Sequence, residues 1–388
     1  MALIMDFKNT EIAFVHKTNW QLKKGILLFK SFNFPMVINY GPKLATWALN
    51  IGLPVKGIIK KTMFGWFCGG ESIDDCQKTI LELGRSNVGT MLDYSVEGEG
   101  NEKAYEETTA EFLRAIKHSA GNKNIHFSIF KSSGIVNNAS LQKLGANEVL
   151  TEAQQNSYNK FLERFDSICQ AAAQYKVRVF VDAEESWLQD TIDDTTYAMM
   201  EKYNTNGIYI YNTIQLYRHD RLEHLKTQIT KQNYLQGYKL VRGAYLEKEN
   251  LRAEQMGYPT PIQPNKEATD RDYDEALKFC IEHINKVSFC AGTHNEQSII
   301  LLTELMKKHD LAHNHQNIWF AQLLGMSDNV SFNLASVGYN AGKYVPYGPV
   351  QAVLPYLARR AQENSSIKGQ MGRELALLQE ELERRRSH

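Results

Sequence analysis

The chain has 388 residues, 43% of them hydrophobic and 23% charged, which is the composition of an ordinary globular protein with a large core. Lysine plus arginine and aspartate plus glutamate number 44 each, so no overall charge attracts nucleic acid or an anionic membrane. The length allows one large barrel domain or two smaller domains.

Residues 1–88 lack a sustained alternation of apolar and polar residues and contain helix-like segments such as Asp74–Gly84. We predict a helical arm or cap here. From about residue 89, short apolar runs alternate eight times with long amphipathic segments, which is typical of a (β/α)8 barrel. An open doubly wound sheet is the alternative. We predict a barrel domain at 89–365, a helical tail at 366–388, and strands at 88–95, 125–133, 177–185, 207–215, 238–245, 287–295, 318–325 and 343–348.

Polar residues stand at or just past the ends of these runs. The carboxyl ends of parallel barrel strands share one face, and barrel enzymes keep their chemistry there. We therefore expect these residues to converge: Asp93, Lys131, Asp182, Gln215, Arg242, Thr293, His294, Asn295 and Gln322.

The segment after Gly348-Pro349 is predicted to be a helix in which Tyr356, Arg359, Arg360 and Glu363 share one stripe. Two neighbouring guanidinium groups beside an aromatic ring are suited to binding the carboxylate and the apolar part of a small ligand. The alternative is a solvated arginine pair with Arg359 bonded to Glu363.

Phosphate-binding signatures of the G-x-G-x-x-G and P-loop types are missing from the sequence. A nucleotide cofactor would therefore be held by barrel loops, such as VRGAY at 241–245 and THN at 293–295, although either is compatible with an ordinary turn. Among His309, His313 and His315, two histidines stand at i and i+4 as in a metal-binding pair. No further residue at suitable spacing completes a site, so we expect no metal. The five cysteines are odd in number and form no C-x-x-C pair, which favours reduced, buried thiols.

Several long motifs occur together in one order: KLVRGAY, GYPTPIQPNKEATDRDYDEAL, GTHN, QLLGMSDNVS and KYVPYGPVQAVLPYLARRAQENSS. From about residue 90 to 380 the chain resembles proline dehydrogenase, especially the stand-alone form. The resemblance implies an α/β fold, a distorted (β/α)8 TIM-type barrel with the last helix over its mouth. It also implies FAD, and oxidation of L-proline to 1-pyrroline-5-carboxylate by hydride transfer to flavin N5, with electrons passed to a membrane quinone.

The resemblance also implies roles for individual residues. Asp182, Gln215 and Lys239 would be the catalytic group, with Lys239 and Gln215 near the reactive flavin nitrogen. The substrate-binding set would be Lys131, Leu323, Tyr344, Tyr356, Arg359 and Arg360. The cofactor-binding set would be Ala183, Gln215, Lys239, Val241, Arg242, Gly243, Ala244, Tyr245, Thr293, His294, Asn295 and Glu363.

Lys239 and Leu246 depart from the arginine and tryptophan of bifunctional bacterial members, which leaves the flavin contact open. No histidine or glutamate stands where a general base is demanded, so the substrate amine would lose its proton to solvent. Two other functions are considered. Hydroxyproline dehydrogenase is disfavoured by Tyr344, whose phenol would crowd a ring hydroxyl, and a non-catalytic barrel that binds an amino acid or a flavin is a more distant alternative.

A quinone acceptor implies transient peripheral contact with a membrane, yet the sequence has no obvious basic amphipathic helix. Glu374–Arg386 is a weak candidate, and helix packing is the stronger interpretation of this segment. The first residues, with Asp6 and no long apolar run, suggest neither a secretory signal nor a transit peptide. We expect a cytoplasmic protein, peripheral on the inner membrane if it is membrane-bound, or a mitochondrial one in a eukaryote; the oligomeric state stays open.

Overall fold

The structure is a computed structural model that describes residues 6–96, 100–366 and 370–387. The chain divides into two compact units, one made of Met1–Glu97 with Gln322–His388 and the other of Gly98–Ala321. The division into arm, barrel domain and tail stays a prediction.

Eight parallel strands close into one barrel in chain order. The closed barrel confirms the predicted (β/α)8 fold and excludes the open doubly wound sheet. The strands are β1 Gly89–Tyr94, β2 Ile125–Lys131, β3 Arg178–Asp182, β4 Ile210–Gln215, β5 Gln236–Val241, β6 Val287–Gly292, β7 Ile318–Leu323 and β8 Ala341–Tyr347.

Six of the described helices precede β1, and one or two helices follow each strand. They are α1 Thr10–Ala13, α2 Asn19–Ser31, α3 Pro35–Asn50, α4 Lys56–Ile59, α5 Gly65–Phe67, α6 Ile73–Gly84, α7 Glu102–Ser119, α8 Asn138–Gly145, α9 Glu152–Tyr175, α10 Ser186–Tyr203, α11 Arg221–Lys231, α12 Leu246–Met256, α13 Lys266–Glu282, α14 Glu296–Lys308, α15 Asp328–Ser336, α16 Val350–Ser366 and α17 Gln370–Ser387. A π-helical turn, Lys60–Phe64, joins α4 to α5. None of the described helices is long and apolar enough to cross a bilayer.

The strands form where β-branched and aromatic residues run together, because a parallel barrel strand is buried on both faces. In β3, Val179, Phe180 and Val181 are fully buried. The Phe127 and Phe180 rings stack with their centroids 4.1 Å apart. The barrel interior of the second unit is thus filled by side chains.

The helices of the first unit pack around an aromatic and aliphatic cluster that includes Phe29 of α2 and Phe67 of α5. The last helix, α17, contributes Leu377, Leu378 and Leu382 to this cluster. The apolar side of Glu374–Arg386 is therefore buried, which supports helix packing rather than membrane contact for this segment.

In the second unit, a buried network ties α10 and α11 to β4. Asp193 of α10 accepts hydrogen bonds from Arg221 Nη2 at 2.5 Å, from Asn212 Nδ2 at 2.7 Å and from Gln189 Nε2 at 2.7 Å. The side chains of Asp193 and Arg221 are almost completely buried. Burying both charges costs desolvation free energy, so each depends on the other.

Replacing Arg221 with Met should lower the free energy of unfolding by about 3 to 5 kcal/mol, because Asp193 then stays buried without its cation. Urea denaturation measures the change. The matched control is Arg114→Met, which removes an exposed partner of Glu111 and should cost less than about 1 kcal/mol. Equal losses in the two variants would contradict the assignment.

Candidate functional site

A buried ion pair joins the carboxyl end of β3 to the second half of β5. Asp182 is the last residue of β3, and its carboxylate accepts a hydrogen bond from Lys239 Nζ of β5. Lys239 Nζ also lies 5.4 Å from the centroid of the Phe180 ring. Both side chains are less than one-seventh exposed. The structure therefore brings two of the three predicted catalytic residues into direct contact.

Lys131 ends β2 and stands next to this pair. The register of the two strands places Lys131 opposite Asp182. Lys131 is buried, and Ala183, which follows Asp182, is buried as well. Two cations and one carboxylate thus lie at the ends of β2 and β3 and in the second half of β5.

Glu184 connects four segments of the second unit. Its Oε1 accepts hydrogen bonds from Ser133 Oγ at 2.6 Å and from Ser133 N at 3.2 Å, and its Oε2 accepts one from Tyr245 OH at 3.3 Å. Its backbone carbonyl accepts a hydrogen bond from Gln215 Nε2 at 2.8 Å. Gln215 and Tyr245 are both buried, so two predicted site residues are fixed by one glutamate.

Burial raises the pKa of the Glu184 carboxyl above its ordinary value, while the charge of Lys131 and the hydrogen bonds from Ser133 oppose the rise. Glu184 is not among the residues predicted from the sequence. The only signal was its place two residues after Asp182 in VDAEE. Its contact with Ser133 spans 51 residues, which periodicity cannot reveal.

Arg242, just past β5, binds side chains of two helices and one loop. Its Nε donates to Asp270 at 2.6 Å, its Nη1 to Thr293 Oγ1 at 2.7 Å and its Nη2 to Ser298 Oγ at 3.1 Å. The predicted cofactor residue Arg242 is therefore held by protein contacts that also fix the THN segment. Asp270, its acidic partner, was another residue that the sequence analysis did not name.

Within THN, the Thr293 hydroxyl also accepts a hydrogen bond from the Asn295 backbone at 3.1 Å. The Asn295 side chain caps α14 by accepting from the backbone N–H groups of Gln297 and Ser298. His294 between them is half-buried. This segment thus serves as the start of a helix, whose N–H groups favour anionic groups.

The turn after β5 requires glycine at position 243. Gly243 has φ +141°, and a Cβ added there would lie 2.4 Å from Cδ1 of Tyr217. Val241, which ends β5, is half-buried, whereas Gly243 and Ala244 are exposed. Within VRGAY, Gly243 and Ala244 are therefore accessible from solvent, and the cofactor role of this loop stays a prediction.

In the first unit, Tyr344 and Leu323 belong to neighbouring segments at β8 and β7. The backbone N–H of Leu324 donates to Tyr344 O at 3.0 Å, and Lys343 Nζ donates to Leu323 O at 3.4 Å. Lys343 is completely buried and forms an ion pair with Asp328 at 2.8 Å. Tyr344 is buried, while Leu323 is partly buried against the core of this unit.

Arg360 of α16 stacks on Tyr356, with 4.9 Å between its guanidinium carbon and the ring centroid. Arg360 is only 8% exposed and Arg359 is half-buried. The burial of Arg360 disfavours a solvated arginine pair. The side chain of Glu363 lies outside the described residues, so its predicted contact stays a prediction.

Comparison with known proteins identifies the family of the chain. A model of the proline dehydrogenase family matches residues 76–373. The mitochondrial proline dehydrogenase 1 of Dictyostelium discoideum is 30% identical, with 97% of this chain and 74% of the relative covered. The chain belongs to the proline dehydrogenase family. The family comprises oxidoreductases.

Two further proteins resemble this proline dehydrogenase family member, one in sequence and the other in fold. The hydroxyproline dehydrogenase of Xenopus laevis is 29% identical over 95% of this chain and 88% of its own. The solved proline utilization A (PutA) of Bdellovibrio bacteriovorus, inactivated by N-propargylglycine, has a TM-score of 0.71 at 20% identity, with 83% of this chain and 36% of that one covered. The chain thus spans about a third of that PutA, and the likeness concerns the fold.

Replacing Gly243 with Ala in this proline dehydrogenase family member should displace Tyr217 or the VRGAY turn, because the new Cβ has no space. We expect a loss of roughly 2 to 3 kcal/mol of unfolding free energy by urea denaturation. Gly257→Ala is the control, since Gly257 has φ +72° with no atom within 4 Å of an added Cβ and should lose only about 1 kcal/mol. A Gly243→Ala loss no greater than the control's would contradict a steric role.

Proposed function

We propose that this protein oxidises L-proline to 1-pyrroline-5-carboxylate with FAD as the cofactor. The observation that carries the proposal is the buried Lys239–Asp182 pair beside Lys131, at the carboxyl ends of β3 and β2 and in the second half of β5. Charged side chains that are taken out of water at strand ends of a barrel are typical of a catalytic face. Membership of the proline dehydrogenase family supports the same assignment.

Three cations are assigned to the substrate carboxylate: Lys131, Arg359 and Arg360. Charge-assisted hydrogen bonds are strong where water is scarce, and the burial of Lys131 and Arg360 favours such bonds. The ring of Tyr356 supports the Arg360 guanidinium from one side. Tyr344, Tyr356 and Leu323 are assigned to the apolar ring of proline, whose small size suits a wall of three side chains.

The residues of the second unit fit a flavin nucleotide in kind. The exposed backbone of Gly243 and Ala244 offers N–H donors, and a side chain at position 243 would collide with Tyr217. The N-terminus of α14 at THN favours a phosphate group. Lys239 supplies a positive charge, and Asp182 fixes its position. Gln215, Val241, Arg242, Tyr245, His294 and Glu363 complete the assigned set.

When bound, FAD supplies a two-electron acceptor for a hydride from the ring carbon next to nitrogen. The ring nitrogen loses its proton to solvent, and the carbon–nitrogen single bond becomes a double bond. The protein's part is to hold the carboxylate, to press the ring into a single orientation and to keep water away from the reacting carbon. Glu184 fixes Gln215 and Tyr245 around this place and acts as a positioning residue.

We assign the final electron acceptor to the quinone class, so the enzyme would work at a membrane surface as a peripheral protein. The Dictyostelium relative carries the word mitochondrial in its name. We propose the inner membrane of a mitochondrion or of a bacterium as the place of action.

An absorbance spectrum of the purified protein under anaerobic conditions tests the function. The protein should be yellow, and L-proline should bleach the flavin bands because two electrons enter the cofactor. Sarcosine or glycine at the same concentration serves as the control for unspecific reduction. A yellow protein that L-proline leaves unbleached would support the non-catalytic barrel instead.

Replacing Arg360 with Ala should raise KM for proline roughly a hundredfold, because a charge-assisted pair with the carboxylate contributes about 2 to 3 kcal/mol. Flavin content should stay the same. The matched control is Arg252→Ala, since Arg252 stacks in the same way on Trp187, with 4.4 Å to the ring centroid. Equal KM values in the wild type and in Arg360→Ala would show that Arg360 does not bind the substrate carboxylate.

Hydroxyproline dehydrogenase is the second candidate function, favoured by the likeness to the Xenopus relative. Tyr344 is buried and its phenol is assigned to the ring wall, where a 4-hydroxyl group would meet it. Turnover of proline should therefore exceed that of 4-hydroxyproline, and Tyr344→Ser should narrow the ratio of the two kcat/KM values. Faster oxidation of 4-hydroxyproline than of proline by the wild type would make hydroxyproline dehydrogenase the first candidate function.

A further inference from the structure

Helix α3 exposes an apolar stripe that the proposed chemistry does not use. Four large side chains of this helix and that of Ile51, the residue after its last turn, lie more than half exposed: Met36 (75%), Tyr40 (64%), Leu44 (62%), Trp47 (55%) and Ile51 (54%). At about 100° per residue, these positions fall within an arc of about 80° and extend about 22 Å along the helix. The stripe is therefore continuous rather than a set of scattered residues.

The opposite side of α3 is already packed. Ala48 is buried, and Ala45 and Leu49 pack against the core cluster of the first unit. A helix with one packed side normally presents polar residues on the other. Among the described side chains of α3, the outward side is as apolar as the inward one, which marks a surface for a partner.

The charge around α3 is strongly one-sided. Residues 12–70 contain eight lysines and no aspartate or glutamate, although the whole chain is balanced at 44 of each sign. Lys23, Lys30 and Lys61 are exposed, whereas Lys56 and Lys60 form ion pairs with Glu71. The overall balance thus conceals a basic segment, which the sequence analysis did not detect.

Lys24 joins two parts of this basic segment. Its Nζ lies 3.7 Å from the centroid of the exposed Trp20 ring and 3.5 Å from the backbone oxygen of Lys61. Ile58, on α4, is a further exposed apolar residue of the segment. The segment thus combines tryptophan, tyrosine and lysine with aliphatic side chains, which is the composition found at membrane interfaces.

We propose that the α3 stripe, with the lysines of α2 and of the π-helical turn, docks the protein on the surface of an anionic phospholipid bilayer. The helix would lie in the plane of the interface with its stripe among the acyl chains, while the lysines contact anionic headgroups. A second copy of the chain fits less well, because the same lysines would face each other. The inference deepens the proposed function, since a quinone acceptor resides in a bilayer.

Co-sedimentation of the full-length holoenzyme with vesicles tests the proposal. Vesicles of phosphatidylcholine with roughly a third phosphatidylserine should bind the protein, and pure phosphatidylcholine should bind it at least roughly a hundredfold more weakly. The triple variant Met36→Ser, Leu44→Ser, Trp47→Ser should lose binding to both. The triple variant Lys23→Gln, Lys30→Gln, Lys61→Gln should lose roughly a hundredfold, only on the anionic vesicles, at about fivefold per lysine.

Matched controls remove the same chemistry elsewhere. Val149→Ser, Met256→Ser, Ile300→Ser replaces three other exposed apolar residues, and Lys78→Gln, Lys103→Gln, Lys307→Gln replaces three other exposed lysines. Both control variants should bind like the wild type. Equal loss in a control and its test variant, or full binding by either test variant, would overturn the proposal.

Two further measurements separate the remaining outcomes. Light scattering during size exclusion detects a second copy: a dimer that only the apolar triple variant dissociates, with vesicle binding unchanged, refutes bilayer docking. Proline oxidation with a soluble dye acceptor should be equal in wild type and all four variants. If the wild type does not reduce the dye, the proposed function fails while the vesicle result stands by itself.

Discussion

The buried pair of Lys239 and Asp182 is the interaction on which the second unit's strand ends depend. Removing either charge from water costs several kcal/mol, and only the opposite charge offsets it. The two side chains must therefore meet across β4, which lies between β3 and β5. Thr213 of β4 helps by donating its hydroxyl to Val181 O at 2.7 Å. Charge and hydroxyl together fix three strands at the end where chemistry is proposed.

Around this pair, each polar group is held by a neighbour from a different segment. Glu184 holds Gln215 and Tyr245, and Gln189 holds the backbone N–H of Glu184 at 2.8 Å while its amide nitrogen donates to Asp193. A chain of hydrogen bonds thus leads from the buried arginine of α11 to the strand ends. Such supporting contacts keep a site in one geometry, since a shift of about 1 Å is costly to catalysis.

The sequence predicted the barrel because the eight apolar runs and the helices between them follow a simple period. The predicted strand bounds are wrong at some strand ends, where side chains instead of a neighbouring strand bind the backbone N–H groups. The fourth run was predicted from 207, but β4 starts at Ile210, because the Asn204 side chain takes the N–H groups of Tyr209 and Ile210. The sixth run was extended to 295, but β6 ends at Gly292, because Asn295 caps α14. Contacts such as Glu184 with Ser133, and the outward stripe of α3, depend on tertiary packing that no local pattern contains.

All five cysteines are free and buried, as the sequence analysis expected. Burial raises the pKa of Cys76 and of Cys290 to about 12, so almost no thiolate exists at neutral pH in the closed structure. A thiol reagent can react only when the surrounding structure opens. Cys68 and Cys76 belong to the first unit and Cys169, Cys280 and Cys290 to the second. The five cysteines therefore report on local opening of the structure without any introduced label. The rate at which each thiol is alkylated gives the free energy of opening around it.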